Sequence, residues 1–517
     1  MYTLAIINAA LANEYSHAPF AGGPGSYERV RKLVLQLAGE GRVIVLTGAI
    51  PLPDPGLPTV SRPEWSMKAV LEEAAVFASR HPEAEALLYV HADMPFLDSA
   101  LCSSLLDLHR RYRSEYTFAD GYPPGFASEI LSPRVLPNLA ELASRHDAPA
   151  DRDGLFAVIQ KDINSYDIET ELSPVDLRGL RFAPLCDTKR NKQSAEALYA
   201  LGARSAADTT RLLPDHPELL RTIPAFLWVQ IAGYCPQACT YCPYPAMVGD
   251  PRLLKGFMPV EQFRIVMDEA AMLCDDLVVD LSLWGEPSAH PDFASIVAAV
   301  MVHPRFTLIV ETSGLGWKPG LAEDLAGRWG NRIQWIVSLD DADPAGYASL
   351  RGDGQREATA FADRLISISK ATVHVQAVRM HENEERLEAF YRGWKQKTDK
   401  VIIQKYDAFC RTLPDRTVAD LSPLERLPCR HLARDLTILL DGSVPPCRHC
   451  LVETGTGDGK DPGDTRHSLS YDHLVANVFE DGLEKAWNAT GAWYGRHCVA
   501  DYPEPCGQCD EYHTFNA

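Results

Sequence analysis

An apolar run, Ala225 to Ala232 (AFLWVQIA), leads straight into a loop carrying Cys235, Cys239 and Cys242. The run has the length and unbroken apolar character of a strand buried on both faces. Tyr234 and Pro236 end it, so the spacing predicts three thiols on a loop at the C-terminal end of a strand. With 13 cysteines in 517 residues, chance gives this C-x-x-x-C-x-x-C spacing about 0.008 times. Three thiolates on one short loop hold three irons of a [4Fe–4S] cube and leave the fourth open to a small molecule. Zinc is the competing metal, but it takes four ligands, and the next downstream cysteine or histidine is far away in sequence.

Strand-like runs recur after this loop at 277–283, 306–311, 333–339, 373–379 and 400–404, with helical stretches such as 259–273 and 292–302 between them. Six βα units suit an open, partial α/β barrel, whose chemistry sits at the C-terminal strand ends. Three of those ends are polar: Trp284-Gly285-Glu286-Pro287, Glu311-Thr312-Ser313-Gly314 and Ser338-Leu339-Asp340.

The cysteine spacing, with Tyr241 in its aromatic slot, resembles the radical S-adenosylmethionine (radical SAM) superfamily. The resemblance implies that the open iron takes the amino and carboxylate groups of SAM. Reductive cleavage then gives a 5′-deoxyadenosyl radical that abstracts a substrate hydrogen. It also implies a cofactor pocket. Gly285, Glu286 and Pro287 would meet the amino group, Thr312 and Ser313 would stand for the family's Thr-Asn-Gly strand end, and Ser338 and Asp340 would lie near the carboxylate and ribose. Gln376 and Arg379 alternate inward on the fifth later strand. A surface turn is the plain alternative for Glu286, and a helix cap for Arg379.

In the tail, Cys429 and Cys447 bracket a run that closes as Gly442-Ser-Val-Pro-Pro-Cys447, and Cys506 and Cys509 form a C-x-x-C pair. Thr437 to Gly442 reads as a strand and hairpin turn. Two and two make a four-thiolate set, and the pattern resembles the twitch form of the SPASM domain, which carries one auxiliary [4Fe–4S] cluster. Cys450 and Cys498 are extra thiols, open to a second auxiliary cluster; zinc competes for any four-cysteine set. Tyr347-Ala-Ser-Leu-Arg351-Gly352 is also SPASM-like. Cys102, Cys186, Cys274 and Cys410 are scattered and read as buried small hydrophobes.

Before the barrel, strand runs at 3–8, 42–47 and 86–90 alternate with helical periodicity at 26–39 and 64–79. This predicts a doubly wound parallel sheet. Asp93, in His91-Ala-Asp93-Met-Pro95, follows the third strand, where such sheets bind ligands; it suits a metal beside phosphates, or the cap of a helix from Asp98. Asp120 and Glu129 are further acids that could face the same cleft. This part resembles the nucleotidyltransferase-like fold of sugar-nucleotide and molybdopterin-nucleotide synthesis. It departs from that fold in the loop Ala9–Gly25, which holds Glu14 and His17 but no Arg or Lys. The expectation is a binding domain without turnover.

The expected layout is therefore α/β throughout: an N-terminal Rossmann-like domain, 1–190; a linker, 191–221; a partial (β/α)6 radical SAM barrel, 222–424; and a small α+β iron–sulfur domain, 425–517. As a whole it resembles the spirochaete-type SPASM proteins. The piece Gly455–Asp464 (GTGDGKDPGD) reads as a mobile loop.

A net charge of −20 and pI near 5.3 oppose nucleic-acid binding. No stretch is apolar enough for a membrane span, the first residues lack a basic signal-peptide region, and 13 cysteines without one point to a reducing cytoplasm. The implied cofactors are the catalytic cluster, SAM and the auxiliary cluster, with a reductant such as flavodoxin or ferredoxin as partner. The leading expectation is oxidation, epimerisation or another modification of a carbohydrate-like or nucleotide-linked small molecule. A peptide- or protein-modifying maturase, a bifunctional nucleotidyltransferase and a non-catalytic iron–sulfur sensor are the alternatives.

Overall fold

A computed structural model describes residues 2–50, 52, 56–247, 256–368, 370–453 and 469–513. Gly455–Asp464 lies outside them. The chain forms two compact units, Met1–Thr222 and Ile223–Ala517.

The first unit is built on seven strands: β1 (Tyr2–Ala9), β2 (Val43–Thr47), β3 (Thr59–Ser61), β4 (Ala84–His91), β5 (Tyr116–Asp120), β6 (Glu129–Leu131) and β7 (Ile168–Leu172). Their order is β3-β2-β1-β4-β6-β5-β7, parallel except where β6 pairs antiparallel with β4 and β5. The double winding follows from side-chain alternation. Ala5, Ile7, Val45, Leu88 and Val90 enter the core on one face, and Leu4, Ile6, Ile44, Leu46 and Leu87 the core on the other. Helices Ser26–Ala38 and Met67–Ser79 cover those faces.

Residues 191–221, expected as a linker, are not one. Helices Lys189–Ala200 and Ala206–Leu212 lie there, and Ala195, Leu198, Ala203 and Leu213 are fully buried in the first unit's core. The stretch reads as polar because only one helical stripe is apolar, and that stripe is enough to dock it.

The second unit carries β8 (Phe226–Val229), β9 (Val278–Asp280), β10 (Thr307–Thr312), β11 (Ile333–Ser338), β12 (Thr372–Arg379) and β13 (Val401–Lys405). They pair in sequence order, all parallel, with helices between them. A seventh strand, β14 (Asp435–Ile438), pairs parallel with β8, Asp435 opposite Phe226. The barrel sheet thus takes a strand from beyond the expected boundary at 424. Its apolar core is continuous, with Leu436, Ile438 and Trp487 of the tail packed among Val229, Val279 and Trp335. Two short antiparallel pairs complete the tail: β15 (Ser443–Val444) with β18 (Ala476–Asn477), and β16 (Leu451–Glu453) with β17 (Leu469–Tyr471).

Candidate active site

The loop after β8 delivers Cys235, Cys239 and Cys242 to a cavity of about 170 Å³. Tyr241, Glu286, Glu311, Thr312, Ser313, Ser338 and Arg351 also line it. The loop is pinned by backbone contacts: Cys235 N donates to Tyr244 Oη (3.0 Å) and Thr240 N to Leu350 O (2.9 Å). The thiols are buried enough that burial pushes Cys235 up to about 12, and Cys239 and Cys242 shift the same way. Cys239 disfavours ionisation of Cys235, and both disfavour ionisation of Cys242, so these groups need a cation to become thiolates.

Glu286 is buried and held from two strand ends. Its Oε1 accepts from Thr312 Oγ1 (2.5 Å), and its Oε2 from Ser313 N (2.8 Å) and Ser313 Oγ (2.6 Å). Gly285 permits this turn, because a Cβ there would fall 1.9 Å from Ala232 O. Burial raises the Glu286 pKa, and the Ser313 and Thr312 donors oppose that rise. Glu286, Thr312 and Ser313 therefore form one cluster, with Pro287 opening the next turn.

Ser338 and Gln376 converge on Glu311 instead: Ser338 Oγ and Gln376 Nε2 both donate to Glu311 Oε1, at 3.2 and 2.7 Å. The sequence placed Glu311 in this polar strand end without giving it a role; its position just before Thr312 and Ser313 was the available signal. Of the expected cofactor residues, Pro287, Asp340, Gln376 and Arg379 are not among the cavity's lining residues. Asp340 is wholly buried and spends its carboxylate on Arg351 Nη1 (2.7 Å), Val378 N (2.8 Å) and Tyr241 Oη. It braces Arg351, which also donates to Gln237 Oε1 from Nε and Nη2 (3.1 and 2.8 Å). Arg379 pairs with Glu384 at the start of helix Glu384–Lys395 (2.7 and 2.8 Å), partly exposed and not among the cavity's lining residues.

A second group of thiols, Cys429, Cys447, Cys450, Cys506 and Cys509 with Cys410, lies close enough for mutual electrostatic interaction. Cys450 interacts with Cys447 and Cys506, which disfavour its ionisation, and Cys410 with Cys509, which disfavours that of Cys410. Cys429 lies within electrostatic reach of Cys447, Cys509 and Cys506. Cys410 is therefore no isolated small hydrophobe. Three consecutive left-handed residues, Phe409, Cys410 and Arg411, turn the chain after β13 and bring its thiol to Cys509, a turn that spacing cannot reveal. Cys498 ends helix Leu483–Cys498.

His449 flanks this group, Nδ1 3.3 Å from Cys447 Sγ and Nε2 2.8 Å from Asp407 Oδ2. Burial alone would lower its pKa, but Asp407 and Cys447 outweigh burial and hold it well above the usual histidine range.

In the first unit, Asp93 pairs with Arg152, and its backbone carbonyl accepts from Cys186 N (2.8 Å). Burial would raise the Asp93 pKa; Arg152 and His91 reverse that, leaving it below the ordinary value. Asp93 caps no helix. Asp98 caps helix Ser99–Tyr112 through Ala100 N and Leu101 N (2.8 and 3.0 Å). Glu129 lies within the field of the same Arg152, accepts from Tyr116 Oη (2.5 Å), and is pushed up to about 7 by burial. Asp120 instead pairs with the exposed Arg178 (3.2 Å). The loop Ala9–Gly25 indeed brings no cation, but the Asp151-Arg152-Asp153 turn does, from far along the chain.

The radical SAM superfamily profile matches residues 229–392. An uncharacterized protein of Treponema pallidum (strain Nichols) is 35% identical over 380 residues, covering 70% of this chain and 98% of that one. The chain belongs to the radical SAM superfamily. Two further relatives match over shorter spans. The GTP 3′,8-cyclase of Cronobacter sakazakii is 29% identical over 169 residues, 32% of this chain and 50% of that one. The spore coat polysaccharide biosynthesis protein SpsF of Bacillus subtilis is 24% identical over 136 residues, 26% of this chain and 56% of that one.

A radical SAM domain implies a [4Fe–4S] cluster and SAM. The residues present fit that pair: three clustered thiols whose burial demands a compensating cation, beside a buried carboxylate suited to an ammonium group. Among the described residues, no helix is long and apolar enough to cross a membrane.

Proposed function

We propose that this protein is a radical SAM enzyme acting on a carbohydrate-like or nucleotide-linked small molecule. The observation that carries the reading is one cavity shared by Cys235, Cys239, Cys242 and the Glu286–Thr312–Ser313 cluster. When bound, the cluster and SAM supply an electron and, by reductive cleavage, the oxidant that removes a hydrogen atom from substrate. Cys235, Cys239 and Cys242 would hold three irons, and Glu286, oriented by Thr312, Ser313 and Ser288, would receive the SAM ammonium. Glu311, steadied by Ser338 and Gln376, faces the remaining space and can hold a substrate hydroxyl or take up a proton. Cys429, Cys447, Cys506 and Cys509 would carry one auxiliary cluster, with Cys410 and Cys450 as flanking thiols.

For the first unit we propose ligand binding without transfer. Arg152 is engaged by Asp93, and the loop Ala9–Gly25 has no cation to clamp a phosphate during reaction. Two of the relatives, a GTP 3′,8-cyclase and a spore coat polysaccharide biosynthesis protein, support the substrate class.

Anaerobically reconstituted protein, once reduced, should convert SAM to 5′-deoxyadenosine. The Cys235→Ala/Cys239→Ala/Cys242→Ala variant should not, and persistent cleavage by it would sink the assignment. With nucleoside triphosphates, Mg²⁺ and sugar phosphates, the full chain should release no pyrophosphate above background; robust release would restore the transferase reading.

A further inference from the structure

The charged groups lining the cavity are unequal in their commitments. Glu286 is held by Thr312, Ser313 and Ser288 and is assigned to the SAM ammonium, and Arg351 is locked to Asp340 and Gln237. Two groups keep capacity. Glu311 uses only Oε1, and among the described residues its Oε2 has no partner. Arg448, between the thiols Cys447 and Cys450 in sequence, lines the same cavity. Its guanidinium carbon lies 4.0 Å from the Trp228 ring centroid. Nε stands 3.1 Å from His449 Nε2 and Nη2 3.9 Å from Asp407 Oδ2, while Nη1 has no partner among the described residues.

The two groups act on the same volume. Asp280, at the end of β9, is wholly buried, and burial and then Glu311 push its pKa up to about 7 while Arg448 opposes. A half-buried guanidinium stacked on the Trp228 indole, with Nη1 unengaged among the described residues, can present its free edge to an oxyanion.

We propose that Arg448 binds an anionic group of the substrate, a phosphate or carboxylate, in this cavity, while Glu311 holds a hydroxyl or ammonium of the same molecule. This rests on the radical SAM reading and narrows its substrate to an anionic one. Because Arg448 is tethered between two thiols of the second group, the anion is also held beside that group.

The test uses inorganic phosphate as probe, on full-length, anaerobically reconstituted and reduced protein. ³¹P line broadening by the paramagnetic clusters reports binding, and iron content is measured for every variant. Wild type should broaden the line. Arg448→Gln should weaken phosphate at least tenfold, Arg448→Lys should recover part of that loss, and Glu311→Gln should strengthen binding several-fold by removing a like charge. Opposite signs at the two positions are what a merely structural role would not produce. Repeating the titration with saturating S-adenosylhomocysteine, which carries the same carboxylate but has no sulfonium to cleave, separates the two sources of anion. Broadening retained supports a substrate site; broadening abolished in wild type means Arg448 receives the SAM carboxylate and overturns the proposal. Unchanged affinity in both Arg448 variants with iron intact, or weaker binding in Glu311→Gln, also overturns it. Absence of iron or of 5′-deoxyadenosine in wild type would instead defeat the underlying reading.

Discussion

The two thiol groups of the second unit are assembled in opposite ways. Cys235, Cys239 and Cys242 come from one loop after β8 and open onto a cavity with Glu286 and Glu311. The other six come from points between residues 410 and 509 and are ringed by His449, Asp407 and other thiols. A local loop with polar walls leaves room for a ligand. A group closed by thiols from many segments ties those segments together, and it makes the tail part of the barrel's own body, as β14 beside β8 also shows.

The sharpest way to break this contrast is iron content. Cys429→Ala should remove about four of about eight irons, leaving the loop cluster intact by its electron paramagnetic resonance signal. Cys410→Ala should keep all eight, and loss of four there would make Cys410 a ligand and redraw the set.

A smaller effect tests the pocket side. Glu286→Gln should keep both clusters yet weaken SAM binding by one to two decades, the scale of a lost charge-assisted hydrogen bond, about 1.5–3 kcal/mol. Equilibrium binding of SAM to the reconstituted variant measures it, and unaltered affinity would remove Glu286 from the cofactor's contacts.

The smallest effect concerns the first unit, where burial acts on a carboxyl rather than a thiol. Glu129 has its folded pKa raised to about 7 from the ordinary 4.5. The folded state therefore binds its proton more tightly. That contribution is full below about 4.5 and is lost as pH rises through about 7. We expect about 2 kcal/mol less stability at pH 8 than at pH 5 from this group, the linkage value reduced for its partial exposure. Glu129→Gln should flatten that part of the pH profile in urea unfolding followed by hydrogen exchange at β6, and an unchanged slope would exclude Glu129 as its source.

Much of this was legible in residue order. Continuous apolar runs such as AFLWVQIA announced buried parallel strands, and each run's end marked where polar groups would gather, because strand ends in such sheets share one rim. Glu286, Thr312 and Ser313 could thus be grouped from two separate stretches. Residues 191–221 were misleading because a helix docked by one stripe of small apolar residues is polar over most of its length.

The sequence by itself determined the alternating α/β layout, the three-thiol loop and its family, since each depends on spacing within a few turns of chain. Only the tertiary structure decided that Cys410 joins the second thiol group, that Asp340 and Arg379 are consumed by Arg351 and Glu384, and that Arg152 reaches Asp93. These are pairings of charged or soft groups chosen by proximity and desolvation in three dimensions. A buried carboxylate takes whichever cation the fold sets beside it, and nothing in the local sequence records which one that is.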